Sequence, residues 1–132
     1  MKVIFDHNLS PRLARALHAF FSGEHEIISL RDRFDSSIKD VDLIRALSSE
    51  GNWVFVSGDR RITRNKAERE AFRNSRLIGL FMSSGLYKAR EIKKLERLLA
   101  LWETIEKAVS IVQPGAMFEL PMKAVQLKQI KL

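Results

Sequence analysis

Two short apolar runs that both finish on an acid limit how this chain can fold. Residues 3–5 are Val-Ile-Phe and lead into Asp6, while residues 53–57 are Trp-Val-Phe-Val-Ser and lead through Gly58 into Asp59. The second run is almost wholly apolar, as strands of a parallel sheet buried on both faces are. Parallel strands cannot be joined by tight turns, so helices must lie between them, and right-handed crossovers place those helices over the sheet. An acid that closes such a strand lies at the carboxyl edge of the sheet, where open α/β folds gather their ligands.

The intervening sequence supplies the helices. Ser10 caps and Pro11 opens a first helix whose Leu13, Ala16, Leu17, Phe20 and Phe21 recur at helical spacing. Glu26 to Leu30 reads as a second strand, and Arg31 to Lys39 as a loop. Asp40 or its neighbour opens a helix carrying Val41, Leu43, Ile44, Ala46 and Leu47, which Gly51 stops. Asn65 caps a short polar helix over 66–73, and Arg76 to Phe81 is a fourth strand followed by a Ser83-Ser84-Gly85 turn. One long helix is expected from about Ala89 to Ser110, with Ile92, Leu95, Leu99, Trp102, Ile105 and Val109 on one face and Trp102 as core. Ala116 to Leu120 is a plausible short strand. The expected fold is a three-layer α/β sandwich around a central, mainly parallel sheet of four to five strands. It forms a single domain over 1–132, and residues 121–132 are a candidate docking tail, an edge strand or a frayed end.

With 132 residues, 45% apolar and 30% charged, the chain has the composition of a folded globular protein. It has no cysteine, which excludes disulfides and thiolate metal sites. No apolar run approaches the length of a membrane helix and the first residues do not form a signal peptide, so the default expectation is a cytoplasmic protein without a membrane partner. The net charge of +7 is unevenly placed. All aspartates (Asp6, Asp32, Asp35, Asp40, Asp42, Asp59) precede residue 60, while Arg60 to Lys94 holds eleven Lys/Arg against three glutamates. Such a basic zone attracts polyanions by counterion release, although solvated helix faces produce the same pattern.

Asp6 and Asp59 stand at equivalent strand ends, and Asp42, or Asp40, lies in the first turn of a helix that begins near the same edge. Crowded carboxylates need a neutralising cation. Oxygen-only donors suit Mg²⁺ or Mn²⁺, which engage phosphates and activate water. Arg60, Arg61 and Arg64 then hold a nucleic-acid backbone. Each residue also has a plainer role: Asp6 accepting backbone N–H groups at the first helix, Asp42 as a first-turn acid, Asn8 as a turn residue, and Ser57, which could orient Asp59 or a water, as a hydroxyl of the kind common at strand ends. His7 is read as structural, because neighbours along a strand point to opposite faces, and His18 and His25 as surface or loop residues.

At these residues the chain resembles the small PIN-like domains met in prokaryotic toxin–antitoxin operons, many of which open with a strand, an Asp-x-Asn-Leu sequence and a helix. Here that opening is Asp6-His7-Asn8-Leu9-Ser10-Pro11, the middle acid matches Asp42-Leu43-Ile44, and the third matches Ser57-Gly58-Asp59. The resemblance runs in order from Met1 to Phe81. It implies a metal-dependent ribonuclease, the toxin of a type II toxin–antitoxin pair, with Asp6, Asp42 and Asp59 as catalytic and metal-binding residues. Asn8, Asp40 and Ser57 would help orient metal or water, and Arg60, Arg61, Arg64 and Lys66 would bind RNA. Mg²⁺ or Mn²⁺ is the implied cofactor, and RNA and a cognate antitoxin are the implied partners, with a homodimer as a further association.

Relatives commonly carry another acid two residues after the third, where this chain has Arg61. That departure implies weaker metal affinity, a changed substrate grip or a site that no longer cuts. The alternative function is therefore a catalytically weakened PIN-like module that binds RNA or regulates. A receiver-like phosphoacceptor domain fits less well, since it calls for an acid pair after the first strand.

Overall fold

The computed structural model describes residues 1–131. The chain runs through β1 (Lys2–Phe5), α1 (Pro11–Phe20), β2 (Glu26–Ser29), a 3₁₀ turn (Leu30–Asp32), α2 (Asp40–Glu50) and β3 (Trp53–Ser57). It continues through α3 (Arg61–Arg64), α4 (Lys66–Arg73), β4 (Ile78–Met82), α5 (Ser84–Lys88), α6 (Glu91–Ala100), α7 (Trp102–Ile111), β5 (Met117–Leu120) and β6 (Lys128–Ile130).

Alternation along the strands decides the layers. Val3 and Phe5 of β1, Val54 and Val56 of β3, and Leu80 and Met82 of β4 enter one core with residues of α1, α6 and α7. Ile4, Trp53, Phe55 and Phe81 enter a second core with Leu43, Ile44 and Leu47 of α2 and Phe72 of α4. Both faces of the sheet are thus covered, which is why β3 and β4 are buried at every position. The result is the expected three-layer α/β sandwich.

The strand order is β2-β1-β3-β4-β5-β6. All pairs are parallel except β5 with β6. From β1 the chain first builds outward to β2 and then returns to place β3 on the other side. The β1/β3 boundary is therefore the switch point at which an open α/β sheet forms a crevice. Register sets Phe5 beside Val56, so the residues that follow, Asp6 and Ser57, emerge together at the carboxyl edge.

Three features depart from the sequence reading. The sheet has six strands rather than four or five, because the segment after Pro121 contributes β6. That segment is held to its own domain: the buried Arg97 guanidinium donates to the carbonyls of Pro121, at 3.2 Å, and Ala124. Leu132, the last residue of the tail, lies outside the described residues. Second, the long helix is two, α6 and α7, meeting at Leu101. The buried stripe is Leu98, Leu101, Trp102 and Ile105, whereas Ile92 is 69% exposed. Third, Ser83 does not turn the chain but caps α5, its Oγ accepting the Leu86 N–H at 3.2 Å. Other expected boundaries hold: Ser10 caps α1, Asn65 caps α4, and Gly51 ends α2 at φ +124, a backbone that L side chains rarely adopt.

Candidate active site

β1 delivers Asp6 to the switch point, where the residue is only 3% exposed. Its N–H donates to the Val56 carbonyl at 2.8 Å, extending the parallel ladder by one residue. Oδ1 accepts the His7 N–H at 2.7 Å, and Oδ2 accepts the Ser57 hydroxyl at 2.9 Å. Burial pushes the Asp6 carboxyl above the ordinary aspartate value, against the Ser57 and His7 hydrogen bonds and the Arg61 charge, and Asp40 adds to the rise. A carboxylate that costs free energy to ionise is one that gains from a nearby cation.

Asn8 ties the same edge together. Its Nδ2 donates to Ser57 Oγ at 3.2 Å and its Oδ1 accepts the Gly58 N–H at 3.0 Å, so it clamps the end of β1 to the end of β3. Ser57, expected to orient Asp59 or a water, donates to Asp6, while the Asp59 N–H lies 3.5 Å from its Oγ. His7 also differs from expectation. β1 ends at Phe5, so strand alternation no longer applies, and its Nδ1 stands 3.9 Å from Asp6 Oδ1. The other ring nitrogen is buried with no partner among the described residues. Away from the site, His25 lies in the loop before β2, as expected, and is half-buried against Phe21 and Trp102.

Asp59 follows β3 and accepts the Arg61 N–H on Oδ1 at 2.9 Å, starting α3. Behind it, Gly58 packs under Tyr87, and a Cβ at that position would overlap the ring. Asp40 opens α2 after Lys39 and grips Arg61 twice, Oδ2 to Nε at 3.2 Å and Oδ1 to Nη2 at 3.3 Å. Burial works against the Arg61 charge, but Asp40, Asp6 and Asp59 together outweigh it and hold the guanidinium above its ordinary pKa. Two of these acids are bonded to Arg61, Asp40 to its guanidinium and Asp59 to its backbone N–H.

Asp42 is not in that set. It is exposed and lines the same shallow groove as Asp40, Arg61 and Glu68. Two residues of helix turn the side chain by about 200°, so Asp40 and Asp42 cannot both face the sheet edge. The sequence carries the signal that separates them: Asp40 lies three and four residues before Leu43 and Ile44, which are buried, and so shares their face. Glu68 was missed altogether. Asn65 caps α4 by accepting the Glu68 N–H at 3.1 Å, which aims this third helical residue at Asp40. Burial and then the Asp40 charge push its carboxyl up.

The basic residues divide. Arg60 pairs with Glu119 of β5, and Arg61 with Asp40. Arg64 and Lys66 are exposed and form no ion pair among the described residues. Arg64 and Lys88 border a cavity of about 490 Å³ that also contains Asp59, Ser84 and Tyr87. Lys88 lies within the basic zone, but nothing in its sequence context singled it out.

A model of the family described as PIN like domain matches residues 1–84, from β1 through the start of α5. The chain belongs to the PIN-like domain family. No curated protein and no solved structure matches it. The matched part of this PIN-like domain contains Asp6, Asp40, Asp42, Asp59 and Glu68, while Tyr87, Lys88 and Glu119 come from the unmatched remainder. PIN-like domains include nucleases, and divalent metals are their usual cofactors. The donors here are carboxylate oxygens without sulfur, and one of these carboxylates, Asp40, is bonded to the guanidinium of Arg61. As these side chains are placed, no three acidic or histidine groups among the described residues are close enough to hold a metal. No helix among the described residues is long and apolar enough to cross a membrane.

Proposed function

We propose that this PIN-like domain is a ribonuclease that hydrolyses RNA phosphodiester bonds with Mg²⁺ or Mn²⁺, and that it is the toxin of a type II toxin–antitoxin pair. The observation that supports the reading is that Asp6 and Asp59 close the two strands flanking the switch point of the sheet, while Asp59 and Asp40 are both bonded to Arg61. Asp6 and Asp59 stand as the sequence placed them, Asp40 supplies the middle acid, and Asp42 lies at the rim of the same groove. Asp6, Asp40 and Asp59 are the residues that would hold a divalent ion, whose chemistry there would be to activate water and to offset the charge of the attacked phosphate. The protein's part is positional. Ser57 and the His7 N–H hold Asp6 in one orientation, Asn8 locks the strand ends that carry Asp6 and Asp59, and Arg64, Lys66 and Lys88 offer charge to the RNA backbone on either side. Pairing with an antitoxin rests on the family resemblance.

Asp6→Asn is expected to abolish manganese-dependent cleavage of RNA and any growth arrest on expression. Cleavage that survives this substitution, or that survives chelator, would sink the proposal. The reading frames adjoining the gene test the toxin assignment, which predicts a small partner with a DNA-binding pattern.

A second reading is favoured by one observation, the two-point grip of Asp40 on Arg61. With its middle acid engaged, the domain would bind RNA without cutting it. Calorimetry that shows RNA binding but no Mn²⁺ binding would select that reading.

A further inference from the structure

We propose that the cavity beside Asp59 is a base-recognition subsite, which takes one guanine of a single-stranded RNA against the Arg60–Glu119 pair. The inference rests on the RNA-cleaving reading above and names the base preference of that same site. The cavity, of about 490 Å³, is of the size that holds a small ligand and is walled by the segment after β3, by α5 and by β5. Register fixes its place relative to the acids. Ser57 of β3 stands level with Phe81 of β4, and Phe81 with Glu119 of β5. Two strand spacings, roughly 10 Å, therefore separate Glu119 from the strand end that leads into Asp59. A single nucleotide spans such a distance from base edge to phosphate.

Glu119 is the acid of an otherwise apolar strand, set between the buried Phe118 and Leu120. Its contact with Arg60 joins Oε1 to Nη2 and leaves the rest of both groups open. Glu119 Oε2 and Arg60 Nε and Nη1 have no hydrogen-bond partner among the described residues. The Arg60 and Glu119 side chains are 34% and 22% exposed and both line the cavity, so a ligand there reaches them. A carboxylate acceptor beside a guanidinium donor matches guanine better than any other base. Guanine alone places two adjacent donors, N1–H and the N2 amine, against a carboxylate, and its O6 and N7 accept from arginine. Adenine and cytosine offer one amino donor with a bare ring nitrogen beside it, and uracil one N–H between two carbonyls, so each sets a lone pair against the carboxylate. Met82 and Tyr87 supply apolar wall for the base, and Gly58 makes room for the Tyr87 ring. Arg64 and Lys88, without acidic partners among the described residues, remain for the flanking phosphates. Tyr87, Lys88 and Glu119 all lie beyond the residues matched by the family, so the subsite is this chain's own.

The test is fluorescence anisotropy of the full chain, in chelator, with short oligouridine RNAs that carry guanine, inosine, adenine, cytosine or uracil at one central position. Manganese-dependent cleavage of the same RNAs is followed in parallel. The guanine RNA is expected to bind about tenfold tighter than the adenine, cytosine and uracil RNAs, with inosine, which lacks the N2 amine, in between. Glu119→Gln keeps the side-chain volume but replaces one acceptor with a donor, and should bring the guanine and inosine RNAs to within about twofold of each other. A folded Glu119→Gln that keeps the wild-type ratio overturns the subsite. Should that variant fail to fold, the wild-type comparison decides alone, and equal binding of guanine and inosine RNAs refutes the proposal. Cleavage without a guanine preference in binding overturns the subsite and leaves the ribonuclease reading intact. Guanine-selective binding without cleavage does the reverse, and a protein that neither binds nor cleaves these RNAs overturns both.

Discussion

The Ser57 hydroxyl donates to Asp6 Oδ2 at 2.9 Å, joining the ends of two neighbouring parallel strands through a single side chain. The same oxygen receives Asn8 Nδ2 at 3.2 Å, so one hydroxyl serves the acid and the clamp together. Ser57→Ala removes a donor from a buried carboxylate and an acceptor from Asn8. It should destabilise the protein by about 1–3 kcal/mol. A urea denaturation midpoint unchanged from wild type would show that the hydroxyl does not carry this junction.

Asp6 also sets a pH dependence with a definite sign. Burial raises its folded-state pKa above the ordinary 3.8, so between those values the folded state binds more proton than the unfolded chain. Stability contributed by this group is present below 3.8 and is lost as pH rises through the raised folded value. Asp6→Asn removes that loss. Relative to the variant, wild type should therefore become less stable as pH is taken from the acid side of the transition towards neutrality. Parallel stability curves for the two proteins across that window would contradict the assignment.

Asp40 and Asp42 are two residues apart on α2 but differ in what they face. Asp40→Asn should reduce manganese-dependent cleavage of RNA by at least about a hundredfold, a loss of some 2.7 kcal/mol in transition-state stabilisation. Asp42→Asn should stay within a few-fold of wild type. Initial rates at saturating Mn²⁺ distinguish the two, and the reverse ranking would restore Asp42 as the middle acid.

The cations should separate in a salt titration. Arg64 and Lys88 border the cavity beside Asp59 without an acidic partner among the described residues, whereas Arg60 is engaged by Glu119. Arg64→Ala and Lys88→Ala should each lower the slope of log affinity against log salt by roughly 0.7 for single-stranded RNA. Arg60→Ala should change it less. Fluorescence anisotropy over a range of salt concentrations measures these slopes.

Much of the fold was legible because it follows from local pattern. The apolar runs at 3–5 and 53–57, the caps Ser10 and Asn65, and the stop at Gly51 each act over a few residues, and all appear where the sequence placed them. β6 was harder to see, since a short edge strand buries little and its pattern is weak. The division of α6 from α7 turned on which of two overlapping apolar stripes met the sheet. Leu98 and Leu101 won over Ile92 and Leu99, a choice made by packing rather than by periodicity.

For the site, sequence alone determined that Asp6 and Asp59 close neighbouring kinds of strand, because a side chain's position at a strand end is a local property. Only the tertiary structure decided that Ser57 orients Asp6 and that the Arg61 guanidinium meets Asp40. Those relations join residues up to 51 positions apart. They depend on strand order, helix rotation and the reach of one arginine, none of which is written in the spacing of residues along the chain.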